Sequence, residues 1–236
     1  MEKKKHHKIL WVLDRAHGKN VQGKQSPDGS FIEWKYSNNV VEHLLGYLSG
    51  LGIESELTTT DQREIGLSKR VAIANSYVES GKYDYVFLLS PHNNASVKAN
   101  TGTGNEVFIA PSSNDEELQE RDRLNKIIGN VFGNLIEKKF SSIFKFRRHN
   151  PSIVYKEAPF TVLQGTKSNP AKYSGILVEF GFMDNDHDLK YLKDERVFKD
   201  YVETLAYAIY GINATIGYKD FLVVDNFKEY FGELKF

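Results

Sequence analysis

The stretch Leu88-Leu89-Ser90-Pro91-His92-Asn93-Asn94-Ala95 passes from an apolar run into a polar segment that carries one histidine. The run begins at Tyr85 and reads as a buried strand. A packed strand fixes an imidazole in place, and a loop at its exit leaves that imidazole open to substrate, which suits a metal ligand. A single histidine after a strand is more often an ordinary loop residue, so the reading depends on what else converges there.

Two other runs end or break in the same way. Lys8 to Leu13 is a short apolar run followed by Asp14-Arg15-Ala16-His17-Gly18, a second histidine at a strand exit. Gly175 to Phe182 is a third run, with Glu179 in its middle. A carboxylate inside a core strand is unfavourable unless it is paired or lies beside a metal. Open α/β sheets bind ligands at the carboxyl ends of their strands, so these three runs predict one convergent polar site.

Between the strands the spacing turns helical. Glu33 opens a helix carrying Val40, Val41, Leu44, Leu45 and Leu48, which ends at Gly50 and Gly52. By itself, a Glu in a first turn is usually only a partner of the helix dipole. Ile53 to Leu57 alternates as an edge strand would, and Leu67, Val71, Ala74 and Val78 mark a second helix. Glu106 to Ile109 predicts a further strand, and a helix capped by Ser113 or Asn114 runs through Leu118 to Leu135, weakened by Gly129 and Gly133. Phe160 to Leu163 predicts another strand, and Val197 to Ile212 the closing helix. The expected fold is α/β: a single domain with a twisted, mostly parallel or mixed sheet of about six strands, flanked by helices on both faces. Residues 1–7 form a basic extension, 8–216 the domain, and 217–236 a tail that packs on the domain or serves self-association.

Composition narrows the function. The formal charge is zero, and one short basic cluster, Lys145, Arg147, Arg148 and His149, is too little for a nucleic-acid role. Such a cluster is usually a solvated face; the functional alternative is contact with an anionic polymer or peptide carboxylates. There are no cysteines, so any metal must be held by His and carboxylate. The apolar run Ile9 to Leu13 is too short for a signal peptide's core, and none approaches a membrane span of about 18 residues. The expectation is a protein made in the cytoplasm without a signal peptide or membrane insertion.

Taken together, these segments resemble the zinc-dependent N-acetylmuramoyl-L-alanine amidases called amidase type 3. The resemblance rests on Asp14-Arg15-Ala16-His17-Gly18, on Glu33 at its helix start, on Ser90 to Ala95, and on Glu179-Phe180-Gly181-Phe182-Met183-Asp184-Asn185, in that order. Lesser matches are Leu57-Thr58 with Asp61, then Leu67, Arg70, Ala74 and Asn75, and Gly104-Asn105-Glu106-Val107. Ala16 departs from the family's usual Gly, which bears on the loop backbone.

The resemblance implies that His17, Glu33 and His92 bind one zinc ion per chain and that Glu179 is the catalytic base. It suggests Arg70 as a brace of the site; Glu106 and Asn94 are further candidates for a supporting shell. The implied substrate is peptidoglycan, cut between the lactyl group of N-acetylmuramic acid and L-alanine. A phage endolysin reaching the wall after holin-type release is the expected setting, ahead of a bacterial autolysin or sporulation amidase. Competing readings are a zinc peptidase acting on stem peptides and a catalytically dead wall-binding protein.

Overall fold

The computed structural model describes residues 7–165 and 169–217. Its elements in chain order are β1 (Ile9–Leu13), α1 (Glu33–Gly50), β2 (Ser55–Leu57), α2 (Leu67–Glu79), β3 (Tyr85–Asn94) and β4 (Glu106–Ile109). They continue with α3 (Gln119–Phe140), β5 (Lys156–Glu157), α4 (Thr161–Gln164), β6 (Tyr173–Phe182), α5 (Asp186–Leu192) and α6 (Glu195–Ile216). The six strands form one sheet in the order β2-β1-β3-β6-β4-β5. All neighbouring pairs are parallel except β4 with β6.

Strand alternation divides the core. Ile9, Trp11 and Leu13 of β1 face a large cluster with residues of α1, α3 and α6, whereas Leu10 and Val12 face a smaller one with Ala74 and Val78 of α2. Burial on both faces is what the unbroken apolar runs require of a central parallel strand. Trp11 also ties the first strand to the last helix, its Nε1–H donating to Asn213 Oδ1 at 2.7 Å.

Several elements differ from the sequence reading. Phe160 to Leu163 is not a strand: Thr161–Gln164 is a single helical turn, and its buried Val162 and Leu163 pack on the smaller cluster. So short a run has no period that separates strand from helix, and only its Val162 and Leu163 are buried. The outer strand comes instead from Lys156–Glu157, beside β4. The expected caps are also displaced, because Asp115 caps a short 3-10 turn, Glu116–Leu118, that precedes α3. The extension and the tail lie outside the described residues apart from His7 and Gly217, whose backbones meet: His7 N–H donates to Gly217 O at 2.9 Å. Among the described residues no helix is long and apolar enough to cross a membrane.

The two glycines of α3 have a packing role. A Cβ at Gly133 would stand 2.1 Å from the Val154 carbonyl oxygen, and one at Gly129 would stand 2.9 Å from the Tyr155 ring. The helix therefore gives up intrinsic propensity to let the 154–155 backbone approach. Gly133→Ala should destabilise the protein by about 1–3 kcal/mol through overpacking, although Ala in an open helix would gain about 1 kcal/mol. A urea midpoint that falls checks this, and a midpoint that rises refutes the close-approach account.

Candidate active site

The site lies at the carboxyl ends of β1, β3 and β6. His92 is still within β3, two residues before its end, rather than in a loop beyond it, and it pairs in register with Glu179 of the parallel β6. Equivalent residues on adjacent strands point to the same face, so the two side chains stand side by side. His17 lies four residues beyond β1, and Glu33 is the first residue of α1.

Glu33 joins the two histidines. Its Oε1 lies 2.9 Å from His92 Nδ1, and its Oε2 lies 3.2 Å from His17 Nε2. The two imidazoles face each other edge to face, 5.2 Å apart at 86°. One donor atom from each of the three residues lies within 4.8 Å of the others. At metal–ligand distances of about 2.0–2.2 Å, neighbouring ligands of a tetrahedral ion are roughly 3.3–3.6 Å apart, so this trio could close on one ion with small adjustments. Two imidazoles and one carboxylate are a donor set suited to a divalent metal, and they leave a fourth position open.

The charges respond to this crowding. Burial disfavours the Glu33 carboxylate, yet the hydrogen bonds and charges of His17 and His92 outweigh it and hold its carboxyl well below the usual range. Burial likewise disfavours a His92 imidazolium, and the Glu33 hydrogen bond and charge overcome it to raise the ring's pKa. Glu179 behaves in the opposite way. Burial pushes its carboxyl up to about 7, opposed by His92 and reinforced by Glu33 and Glu106. Its Oε2 is buried and hydrogen-bonds to none of the described residues, which leaves it available for chemistry in the cleft.

A layer beneath the histidines sets the His17 loop. His17 adopts a left-handed backbone, φ 55°, unusual for a residue with a side chain. Ala16, where the family usually has Gly, has no positive φ, so no Gly is required there; its N–H donates to Ser37 Oγ at 2.7 Å. Gly18 is required, since a Cβ there would lie 2.1 Å from the Glu64 backbone nitrogen. Arg70, 2% exposed, reaches in from α2 and donates to the His17 carbonyl at 3.1 Å, to the Arg15 carbonyl, to Asp14 Oδ1 at 2.8 Å and to Glu64. Asp14 also accepts from Thr58 Oγ1 at 2.7 Å and Ser90 Oγ at 2.9 Å.

The other supporting candidates are placed differently. Glu106 hydrogen-bonds to Asn94, Arg147 and Lys156 and to neither histidine. Asn94 lines the cleft. The sequence reading missed Asn93, whose N–H donates to Glu33 Oε1 at 3.2 Å and whose side chain donates to the Phe180 carbonyl at 2.6 Å. It also gave no role to Ser37, which bonds the Ala16 N–H and donates to the Pro91 carbonyl at 2.6 Å. Asn93 lay within the quoted motif, but Ser37 carried no local signal. The cleft has a volume of about 660 Å³, with Val21 and Lys24 on one wall, Phe160 and Thr161 on another, and Glu179 in its lining. The polar loop after β1 is thus a wall of the groove.

Known proteins share this architecture. An N-acetylmuramoyl-L-alanine amidase from Clostridium difficile 630 superposes with a TM-score of 0.68 at 20% identity, covering 89% of this chain and all of its own. The catalytic domain of CwlV, an amidase of the same name from Bacillus (Paenibacillus) polymyxa var. colistinus, gives 0.63 at 20% identity, covering 85% of this chain and 96% of its own. The catalytic domain of the CD27L endolysin, which targets Clostridia difficile, gives 0.54 at 21% identity, covering 84% and 97%. No curated protein matches significantly in sequence. The family model for N-acetylmuramoyl-L-alanine amidase matches residues 12–211, and the chain belongs to that family. Its members are amide hydrolases of peptidoglycan and generally depend on zinc.

The brace beneath His17 can be tested apart from catalysis. Arg70→Met leaves Asp14 buried without its cation, which should lower stability by about 3–5 kcal/mol. Thermal or denaturant unfolding measures this, and a change below about 1 kcal/mol would show that the pair does not hold the loop.

Proposed function

We propose that His17, Glu33 and His92 hold one zinc ion and that Glu179 is the base of an N-acetylmuramoyl-L-alanine amidase. The observation that carries this reading is the in-register pairing of His92 with Glu179, which sets a carboxylate oxygen without a partner among the described residues beside the three converging donors. Zinc, when bound at such a set, lowers the pKa of a water to about 7 and polarises the amide carbonyl.

The remaining chemistry falls to the protein. Glu179 takes a proton from water as its oxygen attacks the lactyl carbonyl carbon. The C–N bond then breaks, and Glu179 passes the proton to the departing alanine nitrogen. Water is consumed, with a lactyl carboxyl on the glycan and a free N-terminal L-alanine as the products. Glu33 stays ionised because both histidines oppose its protonation, so it remains a ligand and not a competing base. Asn93 and Arg70 fix the two ligand-bearing segments so that little reorganises during turnover.

The same donor set would serve a peptidase, and product analysis separates the two. Mass spectrometry of digested peptidoglycan should show intact stem peptides with free N-terminal L-alanine and unsubstituted muramic acid; shortened stems on intact muramic acid would establish the peptidase instead. As for setting, the CD27L endolysin domain and bacterial amidases such as CwlV share this fold, so the fold supports the amidase reading without favouring phage over bacterium.

Glu179→Gln should reduce turnover by about 10²–10⁴-fold while zinc stays at one per chain, whereas His92→Ala should lose the metal. Activity assays paired with metal analysis read both, and a Glu179→Gln enzyme of native activity would remove the base assignment.

A further inference from the structure

The basic cluster of the sequence divides in the fold. Arg148 turns away to pair with Glu137 and the Pro151 carbonyl. Arg147 turns to the face of the sheet that carries the site. Its Nε donates to Glu106 Oε1 at 3.1 Å, and its guanidinium lies 5.0 Å over the Phe182 ring. Lys156 donates to the same oxygen, while Asn94 Nδ2 donates to Glu106 Oε2 at 2.5 Å. Two cations thus share one carboxylate, leaving a surplus positive charge. Arg147 has a side chain 38% exposed, and its Nη1 and Nη2 hydrogen-bond to none of the described residues. It is a guanidinium held by its base with its fork unfilled.

The location gives this fork a meaning. Glu106 is the antiparallel register partner of Glu179, so both side chains rise on one face, a strand spacing of about 4.8 Å apart. His92, Glu179, Glu106 and Arg147 therefore form a row across β3, β6 and β4, leading away from the three donors. An amide placed over Glu179 sends its amine-side chain along this row or back across the donors. A peptide advances at most about 3.3–3.6 Å per residue, so a group one or two residues beyond the scissile bond reaches the fork.

We propose that Arg147 is a binding subsite for a carboxylate of the stem peptide, one or two residues beyond the scissile amide; this rests on the amidase reading. The planar fork matches a carboxylate with two parallel hydrogen bonds. Lys156 offsets the charge of Glu106, so that acid positions Arg147 without neutralising it. Phosphate of a wall polymer would also suit a guanidinium, but the stem peptide is the chain that begins at the cleaved bond, and it passes this point when it follows the row.

The test uses two soluble muramoyl-L-alanyl peptides that differ only in whether the second residue's α-carboxylate is free or amidated. The zinc-loaded native protein should show a KM about tenfold or more lower for the free carboxylate, with kcat unchanged. Arg147→Gln should raise KM for that substrate about 10–100-fold and abolish the discrimination, at unchanged zinc content, and Arg147→Lys should retain part of it. Native protein indifferent to amidation, or equal loss on both substrates, overturns the subsite. So does inhibition by poly(glycerol phosphate) that Arg147→Gln relieves without altering the peptide preference. If Arg147→Gln does not fold, the native preference decides. If the native protein cleaves neither peptide, the amidase reading fails separately, and calorimetry with the released stem peptides, free or amidated, still decides the subsite.

Discussion

One buried carboxylate holds the site's foundations together. Asp14, at the exit of the first strand, gathers Thr58 from beyond β2, Ser90 from β3 and Arg70 from α2. Each of these brings a separate segment of chain to the same point, and Arg70 then reaches past it to the carbonyl of His17. A buried ion pair is a poor source of net stability, because desolvation consumes most of the attraction. It is well suited to geometry, since neither partner can leave without stranding the other. The strained backbone of His17 persists because the surrounding bonds over-determine it.

Above this base, the sheet does the positioning. Parallel pairing of β3 with β6 sets His92 beside Glu179, and the reversed β4 extends the same face to Glu106. Two carboxylates then sit close together with opposite tendencies. Glu33 lies between two imidazoles and is held ionised, while Glu179, enclosed with one oxygen that has no partner among the described residues, is pushed toward neutrality. Environments that drive neighbouring acids apart suit identical side chains to different tasks, here the proposed ligand and the proposed base.

Much of this was legible in the sequence. The apolar runs before His17, before His92 and around Glu179 marked the central strands, and open-sheet logic placed their ends together. The place of Glu33 beside both histidines was legible only through the motif resemblance, because an acid in a first helical turn has a common alternative role. The misreadings share a cause. Phe160 to Leu163 is too short for its period to be visible, and its helical form depends on packing against the smaller core. The strand Lys156–Glu157 is two residues long and is defined by its neighbour β4. Ser37 and the paths of Arg147 and Arg148 depend on contacts across the fold, which no local pattern records.

The place of β6 in the sheet has a consequence for how such a protein can diversify. On one side of it, β1, β3 and α1 with their supports carry the three donors; on the other, β4 and β5 carry Glu106 and Lys156. Within the described sheet each half pairs with Glu179's own strand, and Asn94 of β3 reaches across it to Glu106. Substitutions in the outer half can therefore alter the proposed carboxylate subsite while the half with the converging donors keeps its geometry. The boundary between innovation and constraint runs along a single strand.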